Sequence, residues 1–411
     1  MRRVMAIVLA GGRSEGLGVL TVPRAAPALP FGGKHRVIDF TLSNCLHSEI
    51  FRVALLTQHQ PTSLVEHIGA GRPWDLDRLE GGVQILQPFV RREKAHWYRG
   101  TADALAQNLN EIENATAQHV IVASGDHVYL MDYGQLVQAH EDSGARVTIA
   151  VTKVSPERRS RYGMVALDEQ QRVRRFVEKP SEETDLQWAS MGLYVFDAGW
   201  LMRALDGLTG PDMVYDLILP ALAAGERIQG FRFQGYWEDV GELGTYYRAN
   251  RELLAPRPLL RLDDPRWNVL TRNEERPPAR FGENARVTNS LVAGGARVDG
   301  TVMNSVVFAG AWIEEGAVVE DAVVFHDGWI GKGARVARAI LDKDVIVGEN
   351  ARVGDPAAGE DADSLAVLGK EAVVLAGETI PPGTMVPVGG GRGRALPPSE
   401  AAVAARGEWP R

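Results

Sequence analysis

Aliphatic residues recur at a fixed interval of 17 in the C-terminal third of this 411-residue chain. Three series keep this interval through three successive repeats: Val307, Val324 and Leu341; Ile313, Ile330 and Val347; Val319, Val336 and Val353. Within one repeat the steps are 6, 6 and 5 residues, so each series opens one hexad. Hexads with one inward aliphatic residue predict a parallel β-helix of triangular section, with one hexad on each side.

The repeat becomes less regular at both ends. The preceding turn, through Val292, Val298 and Val302, is two residues shorter, and the last coil is irregular and ends near residue 381. We therefore predict a β-helix domain over residues 285–388 and a flexible tail over 389–411, which is rich in glycine, proline and alanine. Residues 255–284 open with a proline-rich and charged stretch that has no sustained period, which is typical of a surface linker.

The first 254 residues alternate strand-like and helix-like patterns. Apolar runs predict strands at 4–10, 51–57, 119–123, 146–154 and 193–196, and apolar residues at helical spacing predict helices beginning at 63 and spanning 102–112. This alternation predicts an α/β domain with a Rossmann-like, mainly parallel sheet. Such a sheet binds its ligand at the carboxyl ends of the strands.

The net charge limits which partners we expect, and the cysteine content indicates the cellular compartment. The net charge of −8 gives no general reason to expect nucleic acid or an anionic membrane as a partner. The single cysteine, Cys45, fits a reducing compartment. The first apolar run is short and lacks a signal-peptide cleavage site, and no run approaches the ~18 residues of a membrane span. We therefore expect a cytoplasmic protein with small-molecule ligands.

A glycine pair follows the first predicted strand directly. Gly11 and Gly12 come after Leu9 and Ala10. Because glycine has no Cβ, backbone N–H groups there can approach an anion closely, and the pattern predicts a phosphate-binding loop. A simple turn after a strand gives the same pattern.

Several segments together resemble the glucose-1-phosphate adenylyltransferases, the ADP-glucose pyrophosphorylases of glycogen and starch synthesis. The resemblance extends from about residue 5 to 354, and its motifs are LAGG (9–12), FGGK (31–34), WYRGTAD (97–103), SGDHVY (124–129), FVEKP (176–180), SMG (190–192) and YWEDVG (236–241). It implies a nucleotidyltransferase domain followed by a left-handed β-helix. The implied reaction converts ATP and glucose 1-phosphate to ADP-glucose and pyrophosphate, in a homo- or hetero-tetramer.

The resemblance also implies a metal site. Asp126 follows a predicted strand, and Asp239 lies in the YWEDVG segment. One or two carboxylates with phosphate oxygens suit Mg²⁺, which would bridge the nucleotide and the sugar phosphate. For Asp126 the alternative is a helix N-cap, because aspartate often begins a helix after a strand. Arg13 is the catalytic cation that remains in the first loop.

Further residues are implied to bind the substrates and an effector. The nucleotide would contact Leu9, Ala10, Gly11, Gly12, Gly100 and Thr101; the sugar phosphate Gly163, Glu178, Lys179 and Ser190; an allosteric effector Lys34 and Arg36. A solvated charge pair is the alternative for Glu178 and Lys179, and a solvated basic patch is the alternative for Lys34 and Arg36. His326, on the repeat, could serve as the base of a β-helix acyltransferase or have a purely structural role.

The chain departs from the family pattern in the first loop. Gly16 and Ala26 stand where the family has an arginine and a lysine, and Ser14 replaces a glycine. Two hypotheses follow from these losses. The chain is an active adenylyltransferase in which Arg13, Lys34 or another cation compensates, or it is a catalytically impaired regulatory subunit. Such a subunit would bind an effector or sugar phosphate and modulate a catalytic paralogue.

Overall fold

The polypeptide forms two compact units, each built from several chain segments. The computed structural model describes residues 3–12, 14–88, 90–91, 94–95, 97–208, 210–359 and 361–391. The first unit contains Met1–Gly12, Ile38–Glu238 and Leu262–Leu270, and the second contains Arg13–Val37, Asp239–Arg261 and Thr271–Arg411. The boundaries expected at 254 and 285 treat each domain as one segment, whereas the units interleave along the chain. Most of the expected tail, 392–411, lies outside the described residues.

A nine-stranded sheet forms the centre of the first unit. Its strands, in chain order, are Val4–Leu9, Arg52–Leu56, Gly82–Leu86, His119–Ser124, Val147–Lys153, Met164–Leu167, Val173–Val177, Trp188–Asp197 and Ile228–Arg232. Four of them, 82–86, 52–56, 4–9 and 119–124, lie side by side in that order and run parallel. The long strand 188–197 joins this parallel half antiparallel to 119–124.

The other half of the sheet is largely antiparallel. Strand 188–197 pairs antiparallel with 147–153 and with 164–167, and 147–153 pairs parallel with 228–232. The predicted α/β class is confirmed, and the sheet is mixed. The first strand is central and reads as a continuous apolar run: Ile7 lies between Ala54 and Val122, and all three are buried.

Helices of the first unit cover the sheet. They are Ile38–His47, Thr62–Ile68, Thr101–Gln107, Leu109–Ala115, Tyr133–Ser143, Ala198–Leu205 and Leu219–Ala223, with one-turn helices at Arg72–Trp74, Pro156–Arg161 and Val214–Ile218. Short strands lie at Val90–Arg91, Lys94–Ala95 and His127–Tyr129, and a further strand, Trp237–Asp239, crosses the sequence boundary between Glu238 and Asp239. The single helix predicted over 102–112 is interrupted at Asn108, which has φ −108° and ψ 23°. Its amide donates to the Ala104 carbonyl at 2.8 Å, the local bonding by which asparagine competes with a helix. No helix in the described ranges has the length and apolar character needed to cross a membrane.

The second unit contains the β-helix that the repeat predicts. Three parallel sheets of six strands each form its sides. The strands are Arg280–Phe281, Arg297–Val298, Trp312–Ile313, Trp329–Ile330, Ile346–Val347 and Val373–Val374 on one side; Arg286–Thr288, Thr301–Met303, Val318–Glu320, Arg335–Ala337, Arg352–Val353 and Thr379–Ile380 on the next; Leu291–Val292, Val306–Val307, Val323–Val324, Ala339–Leu341, Ala366–Leu368 and Met385–Val386 on the third.

The strand register reproduces the sequence periodicity. Val307 pairs with Val324, and Val324 pairs with Leu341, at the predicted interval of 17 residues. Their side chains are fully buried inside the coil. The period is lost after Val353 because an insertion with a one-turn helix at Ala362–Ser364 lengthens the fifth coil. A sixth coil continues to strand Met385–Val386.

Two segments that precede the repeat in sequence belong to the second unit. Residues 13–37 contain one-turn helices at Glu15–Thr21 and Ala26–Ala28 and a hairpin of Pro30–Phe31 with His35–Arg36, and residues 239–261 contain helix Leu243–Glu252. The Arg24 guanidinium contacts the Asp342 carboxylate at 2.8 Å, and both side chains are almost completely buried. Tyr247 donates its hydroxyl to the Asp321 carbonyl at 2.6 Å. Residues 13–37 are therefore an integral part of the β-helix unit.

Removing one partner of the buried Arg24–Asp342 pair should destabilise the protein strongly. We expect Asp342→Ala to lower the free energy of unfolding by about 3–5 kcal/mol, because Arg24 keeps its charge without a partner. The double variant Arg24→Met with Asp342→Leu should recover most of this loss, since it leaves no buried charge. Urea denaturation measures both effects, and a loss below about 1 kcal/mol in the single variant would contradict the expectation.

Candidate active site

The glycine pair lies at the carboxyl end of the first strand. A Cβ at Gly11 would lie 3.0 Å from the backbone nitrogen of Gln58, so glycine is needed there for close packing. A Cβ at Gly12 would meet no described atom within 4 Å. Ala10 and Gly125 are tied to neighbouring strands through N–H bonds to the carbonyls of Leu56 and Leu9. Gly12 is therefore the residue of the pair with open space for an anion.

Asp126 lies just beyond the carboxyl end of the parallel strand His119–Ser124. Its carboxylate accepts a hydrogen bond from the Ser124 hydroxyl, lies 3.6 Å from Nε2 of His127, and is 27% exposed. The alternative role as a helix N-cap is wrong, because a strand follows Asp126 and the next helix is capped by Asp132. Asp132 accepts from the Gly134 N–H at 2.8 Å. The Asp126 carboxylate is thus available for a ligand.

The chemistry of these donors fits a hydrated divalent ion. No group of three or more His, Cys, Asp or Glu side chains able to hold a metal occurs among the described residues. An ion at Asp126 would therefore take most of its ligands from water and phosphate oxygens, as Mg²⁺ does. Asp239 belongs to the second unit, where its carboxylate accepts from the Gly241 N–H at 2.9 Å. Arg13 lies outside the described residues.

The four residues predicted to bind the sugar phosphate lie together in the first unit. A Cβ at Gly163 would come within 2.6 Å of Oε2 of Glu178, so glycine there makes room for this carboxylate. The Ser190 N–H donates to the Gly163 carbonyl at 2.7 Å, and the Lys179 N–H donates to the Tyr162 carbonyl at 3.2 Å. Lys179 has φ +43°, a left-handed conformation that non-glycine residues adopt at a cost and that is concentrated at functional sites.

Burial changes the pKa values of the groups around Glu178. It raises the pKa of Glu178, an effect that the Lys179 charge opposes and the Asp212 charge reinforces. Ser190 and Tyr194 share a hydrogen bond between their hydroxyls at 3.1 Å, and burial raises the pKa of Tyr194 above its usual range. Lys179 therefore stands beside a carboxylate that is partly desolvated.

Sequence reasoning missed Asp212 and Tyr194. Asp212 accepts from the N–H groups of Val214 and Tyr215, and from sequence it looks like an ordinary helix cap. Tyr194 lies within a strand that reads as core. Only the fold brings their charge and hydroxyl into the neighbourhood of Glu178.

The segment around Gly100 and Thr101 is closed by another part of the first unit. The Pro211 carbonyl lies so close to Gly100 that a Cβ there would clash with it. The same carbonyl accepts from the Ala102 N–H at 2.8 Å. Thr101 Oγ1 accepts from the Met213 N–H at 2.9 Å. The helix N–H groups predicted to face a ligand are thus partly used internally, and Thr101 keeps its own hydroxyl hydrogen for one.

Gln58, which follows the strand Arg52–Leu56, contacts the same segment. Its Oε1 accepts from the Tyr98 N–H at 2.5 Å, and its Nε2 donates to the Tyr98 carbonyl at 3.2 Å. No sequence pattern singles out Gln58, because this pairing joins residues 40 positions apart. The side chain therefore positions the WYRGTAD segment on the sheet.

Three aromatic rings lie between the Asp126 region and the neighbourhood of Gly163. The Trp237 indole packs edge-on against His127 and Tyr162, with ring centroids 5.2 Å away in each case. Arg158 forms an ion pair with Glu238 and donates to the Tyr162 hydroxyl at 2.7 Å. The aromatic side chains are therefore held in place by a charged pair at the rim.

The three residues that depart from the family pattern in the first loop, Ser14, Gly16 and Ala26, lie in the second unit. A Cβ at Gly16 would lie 2.9 Å from the Gly241 carbonyl oxygen and from Cγ of Glu242, so residues 241–242 close off this position. Ser14 has φ −90°, a conformation open to any residue. Ala26 is buried. Positions 16 and 26, where the family pattern has cations, are therefore closely packed in this chain.

A cluster of cations surrounds His326 on the β-helix. Burial, together with the charges of Arg36 and Arg24, lowers the pKa of Lys343 to about 8, and Glu274 and Asp342 oppose this change. Burial also lowers the pKa of His326 to about 2, with further contributions from Lys343, Arg36 and Arg276. Of the two predicted effector residues, Arg36 thus belongs to this cluster, whereas Lys34 is solvent-exposed.

Comparison with known proteins agrees with this architecture. A family model described as nucleotidyl transferase matches residues 5–255, and one described as GlmU-like, C-terminal hexapeptide matches residues 277–375. Three relatives carry the name glucose-1-phosphate adenylyltransferase, each covering 78% of this chain and 77% of the relative: proteins of Thermotoga neapolitana (47% identical), Thermotoga maritima (46%) and Pseudothermotoga lettingae (44%). The fold is thus that of a nucleotidyltransferase domain with a hexapeptide β-helix. Within this class, the chain belongs to the glucose-1-phosphate adenylyltransferase family.

Asp126 and Asp132 form a matched pair for testing the metal site. We expect Asp126→Ala to remove the dependence of ADP-glucose binding on Mn²⁺ while changing the melting temperature little, because the carboxylate faces solvent. Asp132→Ala should keep that dependence and lose about 0.5–2 kcal/mol of stability, because a helix cap is removed. Calorimetric titration and thermal melts measure these effects; an Asp126→Ala protein that still responds to Mn²⁺ would assign the metal elsewhere.

Proposed function

We propose that this chain transfers the adenylyl group of ATP to glucose 1-phosphate, giving ADP-glucose and pyrophosphate. The observation that carries the proposal is the proximity of Gly163, Glu178, Lys179 and Ser190 within the first unit. A partly buried carboxylate beside a lysine suits a ligand with both hydroxyl groups and a phosphate. The names of the relatives support the same reaction.

The reaction needs little covalent chemistry from the protein. A phosphate oxygen of glucose 1-phosphate attacks the α-phosphorus of ATP, the bond from that phosphorus to the bridging oxygen breaks, and pyrophosphate leaves with the electron pair. Lys179 would hold the sugar phosphate, and Glu178 would accept from sugar hydroxyls. The open backbone at Gly12 would accommodate phosphate, and Thr101 would donate its hydroxyl to the nucleotide.

A divalent metal ion belongs to this proposal, and Mg²⁺ is the ion we propose. When bound, it would neutralise phosphate charge during the transfer. Asp126 would hold it, because its carboxylate is partly exposed and follows a parallel strand. The metal role of Asp239, the catalytic role of Arg13 and the nucleotide contacts of Leu9, Ala10 and Gly11 stay predictions from the resemblance.

Assembly and location are part of the same proposal. We propose a homo- or hetero-tetramer, because the β-helix presents long flat sides. A cytoplasmic location would suit the single Cys45, which is free and buried. Neither nucleic acid nor a membrane is a proposed partner, given the net charge of −8.

Activity of the purified chain is the direct test, and the first loop should limit it. We expect the parent chain to release pyrophosphate from ATP and glucose 1-phosphate, and Gly16→Arg with Ala26→Lys to raise turnover by ~10²-fold or more, because each restored cation stabilises charge in the transition state. Residues 241–242 must move to admit the arginine. A coupled pyrophosphate assay measures both rates.

The parent rate separates the two hypotheses about the chain. The variant Lys179→Met tests substrate binding separately from the first loop. It should raise the KM for glucose 1-phosphate because it removes a phosphate contact. No activity in the parent or in the loop variant, with retained glucose 1-phosphate binding, would favour the regulatory-subunit hypothesis. High activity in the parent would show that another cation compensates.

We also propose that the chain binds an anionic effector at the cluster of cations around His326, which consists of Arg24, Arg36, Arg276 and Lys343. Several like charges around a partly desolvated lysine disfavour its charged form, as its lowered pKa reflects. An anion seated among them would offset this repulsion. Lys34 is exposed and could contact the same ligand from solvent.

Sulfate is a suitable probe of this cluster because its charge is constant above neutral pH. Lys343 is charged below its pKa of about 8 and loses the charge as the pH rises through that value. We therefore expect sulfate affinity to fall above pH 8, by up to about tenfold per pH unit. Lys343→Arg keeps the charge at high pH, and its affinity should stay nearly constant. Calorimetry at pH 7 to 9 measures this, and a flat profile in the parent would contradict the proposal.

A further inference from the structure

One side of the β-helix carries an open cavity that the proposed reaction does not involve. Four successive coils line it, through Glu283, Asp299, Trp312, Glu314 and Lys332 among others. All of these residues belong to the second unit. The cavity has a volume of about 360 Å³, within the ~300–1,000 Å³ usual for ligand sites. Because neighbouring strands lie ~4.8 Å apart, it extends for about 14 Å along the coil stack.

The strand register places the lining residues on one outward face. On the second coil Val298 is fully buried, so Arg297 and Asp299 on either side of it point outward. On the third coil the buried Ile313 directs the neighbouring Trp312 outward in the same way. Arg297 and Trp312 are partners in the parallel ladder, so their side chains lie next to each other.

The Asp299 carboxylate orients the walls of the cavity. Its Oδ2 accepts a hydrogen bond from Nε of Arg297 at 2.8 Å and from the Trp312 indole N–H at 3.3 Å. The Arg297 guanidinium in turn lies over the indole, 4.7 Å from the ring centroid. A Cβ at Gly282 would clash with Oδ1 of Asp299, so the glycine leaves room for this second oxygen. Asp299 thus fixes an arginine and an indole and keeps capacity to accept from a ligand.

Glutamates and a lysine line the rest of the cavity. The backbone N–H of Lys332 donates to Oε2 of Glu314 at 2.9 Å, and the Lys332 ammonium lies 3.3 Å from Oε2 of Glu315. Glu283 is exposed on the first coil. The cavity therefore offers carboxylate acceptors and charged N–H donors beside the half-buried indole of Trp312.

The balance of these charges selects the class of ligand. Four carboxylates and two cations line the cavity, a net charge of −2 (2 − 4), so the site repels an anion such as a phosphorylated sugar. A free cation would have to compete with Arg297 and Lys332, which already contact three of these carboxylates. A neutral ligand with many hydroxyl groups avoids both penalties, since a hydroxyl donates to a carboxylate and accepts from an arginine or a lysine.

The indole and the length of the cavity narrow this class to a carbohydrate chain. The hydroxyls of glucose are equatorial, so its ring has flat C–H faces that can pack against an aromatic side chain. A site that crosses four coils has room for more than one sugar ring along its length. We propose that this cavity binds a short linear chain of glucose units, with one sugar ring packed against Trp312.

Calorimetric titration with maltotriose and with cellotriose tests the proposal, and the two probes distinguish α-linked from β-linked chains. We expect the parent protein to bind at least one of them, and Trp312→Ala to weaken that binding at least ~10-fold because the packing surface is lost. Trp329→Ala is the matched control, because Trp329 is the ladder partner of Trp312 on the next coil and lies outside the cavity. It should keep the parent affinity. Binding of neither probe, or parent affinity in Trp312→Ala, would overturn the proposal.

Two further variants separate ligand binding from folding and from the site in the first unit. Glu283→Ala changes an exposed side chain, so it should keep the melting temperature and weaken trisaccharide binding ~3-fold or more. Lys179→Met changes the first unit and should leave trisaccharide binding unchanged. Loss of binding in Lys179→Met would place the sugar in the first unit and refute the proposal. So would a parent protein that binds spermidine and neither trisaccharide, because the cavity would then be a cation site.

Discussion

The buried contact between Arg24 and Asp342 determines how the chain is partitioned. Both side chains are nearly inaccessible to water, and Arg24 also donates to the Leu20 carbonyl. A buried charge pair of this kind tolerates little displacement, because each partner alone carries a large desolvation penalty. The segment that follows the glycine pair in sequence is therefore fixed within the β-helix unit.

Arg24 and Lys343, two cations near Asp342, have different electrostatic surroundings. Asp342 neutralises Arg24, whereas the adjacent Lys343 faces Arg36 and Arg24 and has its pKa lowered to about 8. Glu274 and Asp342 oppose this lowering, so Lys343 lies among charges of both signs.

Features with a regular period or a local motif could be predicted from sequence. The interval of 17 residues predicted the register of the β-helix, and the apolar run before Asp126 predicted the strand that precedes it. Contacts between distant segments could not be predicted, because no local pattern encodes them. The Gln58 bonds to Tyr98, the charge of Asp212 near Glu178 and the closure of Gly16 by residues 241–242 all belong to this class.

The Arg24–Asp342 contact also sets an order of events during synthesis. Its partners are 318 residues apart in sequence. At a typical elongation rate of 5–20 residues per second, Asp342 is made roughly 15–60 s after Arg24. The coils of the β-helix consist of nearby residues and can form as they emerge, but residues 13–37 must wait for them. A nascent chain therefore carries an incompletely fixed first loop until almost the whole polypeptide has left the ribosome.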